Sequence, residues 1–149
     1  MSELREQFKT VLAEFGQIAG CSLTLDDDDI CRIVFNGETG AELVYDDATD
    51  RIRARVEVCR LDDDAAETGV SRRLLAAAGD PAISRGCTLA LEKETRTLVV
   101  RDWRPSAGLY TADRLAGWFQ RLLWFVGDVR DAAAAKERPG DFHMYEIRV

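Results

Sequence analysis

The stretch Arg51-Ile52-Arg53-Ala54-Arg55-Val56-Glu57-Val58 alternates charged and apolar side chains without a break. Successive strand residues point to opposite faces, so this run reads as a β-strand with one solvated, charged face and one apolar face turned to a core. A strand of that kind belongs to an antiparallel sheet covered on one side, because parallel strands are buried on both faces. Upstream, Ile30 to Phe35 and Ala41 to Tyr45 are two more short apolar runs. The segment Asn36 to Gly40 joins them, and its Asn-Gly start predicts a five-residue hairpin connection. Asp46, Asp47 and Asp50 mark the turn into the 51–58 strand.

Before these strands, Leu4, Phe8, Val11, Leu12, Phe15 and Ile18 recur at helical spacing, with Ser2 as the expected N-cap and Gly20 as the C-terminal stop. After them, the acidic segment Asp62 to Glu67 reads as a loop. Val70 and Ser71 then read as staple and N-cap of a short helix bearing Leu74 and Leu75, ended by Gly79 and Pro81. Cys87, Leu89 and Leu91 alternate up to a turn at Glu94 and Thr95, and Leu98 to Trp103 returns as the partner strand. Thr111 and Asp113 open a last helix. Its apolar residues Leu115, Trp118, Phe119, Leu122, Leu123, Phe125, Val126 and Val129 make a stripe broad enough to require cover on more than one side. The fold class is therefore α+β, in the order α-β-β-β-α-β-β-α, with an antiparallel twisted sheet packed against two longer helices. Residues 1–136 form one domain, as expected for a chain of 149 residues of which 46% are apolar, and residues 137–149 are a tail whose docking the pattern does not specify.

Composition narrows the function. A net charge of −7 argues against nucleic acid and against an anionic membrane surface, since both need clustered Lys and Arg. No stretch reaches the length of a membrane span, and the charged start at Met1 to Glu6 lacks the apolar core of a signal peptide. A cytoplasmic location is expected. Cys21, Cys31, Cys59 and Cys87 stand far apart, and His143 is the one histidine, so no zinc-type ligand pairing exists. Cys31, Cys59 and Cys87 lie in apolar runs and read as buried structural thiols of a reducing compartment. The acidic run Asp26 to Asp29 lacks the glycine and distal glutamate of a calcium loop and reads as a solvated turn. Glu92, Glu94 and Arg96 read as the charged tip of a hairpin, and His143 as an exposed side chain. None of the common nucleophile, phosphate-loop or metalloprotease motifs occurs. The expectation is a binding protein rather than an enzyme, with no cofactor and no metal.

Binding needs surface, and the strands supply it. Ile33 and Val34, Leu43 and Val44, and Leu98 and Val99 are adjacent apolar pairs that cannot all face one core. Apolar area left on the second face suits a dimer interface, a ligand groove or a peptide-docking edge.

The runs F-K-T-V-L-A-E-F-G from Phe8, G-C-T-L-A-L-E-K-E-T-R-T-L-V-V from Gly86 to Val100, and A-D-R-L-A-G-W-F-Q-R-L-L-W-F-V from Ala112 to Val126 resemble the class I type III secretion chaperones, the Tir-chaperone family. The resemblance spans roughly Phe8 to Asp131. It implies a bacterial cytoplasmic homodimer that binds the N-terminal segment of a secreted effector and keeps it export-competent for virulence secretion, with no nucleotide or metal. Carried over by element, it implies effector contacts at Phe8, Val34, Phe35 and Val44, and a dimer interface at Leu74, Leu75, Leu89 and Leu91. The chain departs from the family where Gly79-Asp80-Pro81 cuts the second helix, and in the tail after Pro139. The competing readings are a YbjN-like regulatory protein-binding domain with the same fold and a domain holding a small ligand between sheet and last helix.

Overall fold

A computed structural model describes residues 3–35, 37, 39–61 and 69–134. The elements are α1 (Glu3–Ala19), β1 (Ile30–Phe35), β2 (Thr39–Asp46), β3 (Arg51–Arg60), α2 (Val70–Gly79), α3 (Pro81–Ser84), β4 (Thr88–Glu92), β5 (Thr97–Pro105) and α4 (Ala112–Ala134), with a single 3₁₀ turn at Ser106–Gly108. The strands form one sheet in the order β1-β2-β3-β5-β4, and every described pair is antiparallel. Among the described residues, both edges, β1 and β4, pair on one side only.

Alternation decides which face of each strand is buried. Ile52, Ala54, Val56 and Val58 of β3 face a core shared with Leu43 and Tyr45 of β2, Cys31 and Ile33 of β1, and Leu98 and Val100 of β5. The helices cover that face. α4 touches α1, α2, β3 and β5, which accounts for its broad stripe: Leu115, Trp118, Phe119, Leu122, Phe125, Val126 and Val129 are all buried. Phe119 meets Phe15 of α1 at 5.9 Å and Phe35 of β1 at 5.4 Å between ring centroids. Trp118 donates its indole N–H to Asp102 at 2.8 Å, and Arg104 lies 3.1 Å from the same carboxylate, so a buried polar pair is satisfied within the sheet end.

Local chemistry sets the boundaries. Gly20, at φ 80, closes α1 as the cysteine after it donates to Gly16 O at 2.8 Å and Gly20 N donates to Gln17 O at 3.3 Å, a Schellman pattern. Thr111 caps α4 by accepting from Arg114 N at 3.2 Å.

Three expectations are corrected. The β1–β2 connection is three residues long rather than five, because Thr39 already pairs with Phe35 and Gly40 with Val34. Ser71 does not cap α2; the helix begins a residue earlier, at Val70, from a left-handed Gly69 at φ 73 that makes no side-chain cap. Pro81 does not simply end α2 but opens a second short helix. Asp80, extended, accepts from Ala82 N at 3.0 Å, and proline at the first helical position loses no needed hydrogen bond. Ser2, the acidic loop after Leu61, His143 and the tail lie outside the described residues.

Candidate functional site

The helices leave the other face of the sheet uncovered. Strand register arranges its side chains in cross-strand rows. One row runs Ile30, Val44, Arg53, Trp103; the next runs Arg32, Glu42, Arg55, Arg101; a third runs Val34, Gly40, Glu57, Val99 and Ala90. The middle row is an ion lattice. Glu92 of β4 accepts from Arg55 Nε at 3.0 Å and also from its Nη2, and from Arg101 at 3.1 Å, while Arg55 reaches Glu57 at 3.3 Å and Arg32 lies 3.7 Å from Glu42. The hydrogen bond from Arg55 holds the Glu92 carboxyl below the usual range, and the same bond raises the guanidinium of Arg55. Val99 is fully buried on this face, between its cross-strand neighbours Glu57 and Ala90.

Of the residues expected to meet a partner, Val34 stands 66% exposed on β1, and Val44 is half-buried on the same face. Phe35 is half-buried on the opposite face against Phe119. Phe8 is corrected: it is buried in the core, its ring 6.2 Å from that of Tyr45, because Phe8, Val11, Leu12 and Phe15 of α1 all turn inward. The exposed large apolar residue of α1 is instead Ile18, at 71%, one residue before the helix ends at Ala19.

The residues expected at a dimer contact divide in the same way. Leu75 is 74% exposed on α2, and Leu91 is 48% exposed on the edge strand β4. Leu74 is buried and Leu89 packs against the core, so both serve the protomer first. Sequence reading passed over Trp124, which is 52% exposed on α4, with Arg85 from the end of α3 over its ring at 5.2 Å and 3.5 Å from Asp128. Its position off the buried stripe, next to Leu123 and Phe125, was the available signal.

Asp26 spends one oxygen on the backbone N–H groups of Asp28 and Ile30, at 2.9 and 3.0 Å, and the other on Arg32 at 2.8 Å. Asp29 accepts from Arg5 of α1, which ties the helix to the start of β1. Among the described residues no group of three His, Cys, Asp or Glu could hold a metal ion, and no helix is long and apolar enough to cross a membrane.

The cysteines are free; Cys31 is buried, Cys59 and Cys87 are half-buried and Cys21 is exposed. Burial pushes the Cys31 and Cys87 thiols up to about 11. Since the thiolate is the reactive form, a thiol reagent at mildly alkaline pH is expected to label exposed Cys21 quickly, half-buried Cys87 slowly and buried Cys31 only on unfolding. Mass mapping of the labelled sites checks this, and fast labelling of Cys31 in the native protein would contradict the packing described.

The model of the Tir chaperone protein (CesT) family matches residues 10–121. Among solved structures, a chain of the HopA1-SchA chaperone-effector complex is similar over 88% of this chain and 98% of its own, at 20% identity and a TM-score of 0.70. A chain of the ExsC-ExsE complex matches over 87% and 95%, at 19% identity and a TM-score of 0.71. The Yersinia pestis type III secretion chaperone SycH, solved with a stable fragment of YscM2, gives a match over 82% and 98%, at 12% identity and a TM-score of 0.60. At these identities the structures establish a shared fold. No curated protein matches the chain.

Proposed function

The chain belongs to the Tir chaperone protein (CesT) family, and from that premise we propose that it is a cytoplasmic, homodimeric chaperone of type III secretion. In this reading it binds the N-terminal segment of a secreted effector and keeps that segment unfolded for export. The observation that carries the reading is β1. Among the described residues it is an edge strand paired only with β2, and beyond Ile30, whose N–H and carbonyl are both taken by Asp26, it presents Val34 at 66% exposure on the face it shares with half-buried Val44. An exposed, apolar edge is a liability in a protein that acts alone and is the surface on which an extended chain adds a strand. Nothing in that role asks for a reacting group, which agrees with a surface made of apolar side chains and paired charges.

The second surface, with Leu75, Leu91 and Trp124 exposed on α2, β4 and α4, is assigned to the contact between two copies. Separating it from β1 across the full width of the sheet leaves both client edges of a dimer open.

The test is affinity capture of the tagged chain from its native cytoplasm, with mass spectrometry of what is retained and light scattering for mass. One dominant partner, held through its N-terminal segment by two copies of this chain, is the expected result. Val34→Asp is expected to weaken that capture about tenfold or more while leaving the fold intact, since a valine side chain buried by a partner contributes about 1.5–3 kcal/mol and the carboxylate adds a desolvation cost. Undiminished capture by the variant would remove β1 from the binding surface, and a monomer with no partner would overturn the whole reading.

A further inference from the structure

The ion lattice on the open sheet face leaves two arginines over. Among the described residues, Arg32, Arg55 and Arg101 engage carboxylates, whereas Arg51 and Arg53 have none within ion-pair distance. Both are exposed. Arg51 stacks over the ring of Trp103 at 4.0 Å, and Arg53 is the cross-strand neighbour of Trp103, which is itself 46% exposed. On the far side of Arg53 the same row continues through half-buried Val44 and Ile30. The row thus reads apolar, apolar, cation, aromatic, with a second cation beside the aromatic ring.

We propose that this row is a docking surface for an extended acidic segment of the client, in which a carboxylate is flanked on both sides by apolar residues. The proposal rests on the reading of the chain as a binder of an extended effector segment and names the chemistry of what it holds. Charge complementarity selects the occupant. In a chain of net charge −7, the open face carries five arginines (Arg32, Arg51, Arg53, Arg55, Arg101) against four carboxylates (Glu42, Asp46, Glu57, Glu92), and the surplus falls at Arg53, which has Val44 and Trp103 across from it where Arg51 has Asp46. Geometry selects the pattern. Ile30 and Trp103 are three strand spacings apart, about 14 Å, and same-side residues four apart in an extended peptide are separated by about 13 Å. A segment of the form Leu-x-Asp-x-Leu therefore sets its apolar ends over Ile30 and Val44 and over Trp103, and its carboxylate at Arg53. Arg51, pre-stacked on the indole of Trp103, loses less side-chain freedom when it reaches that carboxylate as a second cation than a free surface arginine does. Nucleic acid fits less well, because two unpaired cations in an acidic protein release few counterions.

The test uses the full chain and a blocked peptide carrying two copies of Leu-Ser-Asp-Ser-Leu, with its Asn-for-Asp counterpart and an oligothymidylate as comparisons. The readout is the indole N–H resonance of Trp103, against those of Trp118 in the core and Trp124 on another surface. The expected result is a shift confined to Trp103, weakened by salt, about tenfold or more weaker for the Asn peptide, and lost in Arg53→Ala with Arg51→Ala intermediate. Equal binding of the Asn peptide, retention in Arg53→Ala, or a Trp103 shift with the oligothymidylate instead would overturn it. So would a fall to one copy by light scattering in the Arg51→Ala/Arg53→Ala protein, which would make this face the contact between copies. Because the peptide is synthetic, failure here with a client still captured leaves the chaperone reading standing, and the reverse pattern does not touch this surface.

Discussion

Replacing Leu91 with Asp, or Leu75 with Asp, is expected to convert the proposed dimer to folded monomers. Both side chains lie largely outside the protomer core, 48% and 74% exposed, so a carboxylate at either place meets water in the free chain and costs little. At a contact between copies the same carboxylate is stripped of water without a partner, at more than the roughly 2–7 kcal/mol that an unpaired neutral polar group costs. An isologous dimer carries the substitution twice, once on each side of its two-fold axis. Even the lower end of that range, doubled, is about 4 kcal/mol, or roughly a thousandfold in the dissociation constant. Light scattering across a dilution series reads the result directly, and circular dichroism verifies the fold. Variants that keep the mass of two copies would place the interface elsewhere, with the sheet face bearing Arg53 and Trp103 as the next surface to test. Leu74→Asp cannot make this distinction. Leu74 is buried under α2, and its loss from the core would unfold the protomer whichever surface pairs.

That contrast between Leu74 and Leu75 marks how far sequence could reach. Periodicity identified α2, and the strand alternation of Arg51 to Val58 fixed both the sheet and the face of it that is buried. What periodicity does not encode is which element lies opposite. Leu74 and Leu75 are chemically identical neighbours, and only the position of α4 separates the core residue from the surface one. Phe8 is the same case on α1, an apolar residue assigned to a partner because its own sheet, meeting it through Tyr45, was not yet placed. Val99 differs in kind. Adjacent apolar residues in β5 correctly implied that the second face is not purely polar, but the pairing of Glu92 with Arg55 and Arg101 on that face joins residues from three strands that the chain order keeps far apart. Asp80-Pro81 was legible in principle, since a cap residue followed by proline is a helix start as much as a helix stop. The proposed client surface was read by element, and the charged row on the open face was not read at all, because it exists only once β3 and β5 are paired in register.

Gly16→Ala and Gly117→Ala are expected to move stability in opposite directions, although both replace a glycine inside a helix. By propensity alone each should stabilise by about 1 kcal/mol, since alanine loses less backbone entropy on helix formation. Gly117 is exposed on α4, and a Cβ built there meets nothing within 4 Å, so the gain should be realised. At Gly16 the chain leaving α1 folds back across the helix, and an added Cβ would lie 2.7 Å from the carbonyl oxygen of Cys21 and 3.1 Å from Leu23 N. Those are backbone atoms, and they are held. The amide of Cys21 donates to Gly16 O at 2.8 Å, and the Leu23 side chain is buried, 6% exposed, in the core. Neither can swing aside as a flexible side chain does, so relief requires the 21–23 segment to lift, pulling Leu23 from its packing. Overpacking of this kind costs about 1–3 kcal/mol, occasionally more, and a contact this short against fixed backbone belongs at the upper end, which outweighs the propensity gain. The expected net effect is about 2 kcal/mol of destabilisation, or a fall in Tm of about 4–8 °C, against a rise of about 2–4 °C for Gly117→Ala. The consequence reaches the binding surface, because residues 21–29 carry the chain from α1 to the start of β1, where Asp29 is fastened to Arg5. Thermal unfolding of the two variants side by side decides the matter, and a rise in Tm for both would mean that the chain after α1 does not pack on Gly16 as described.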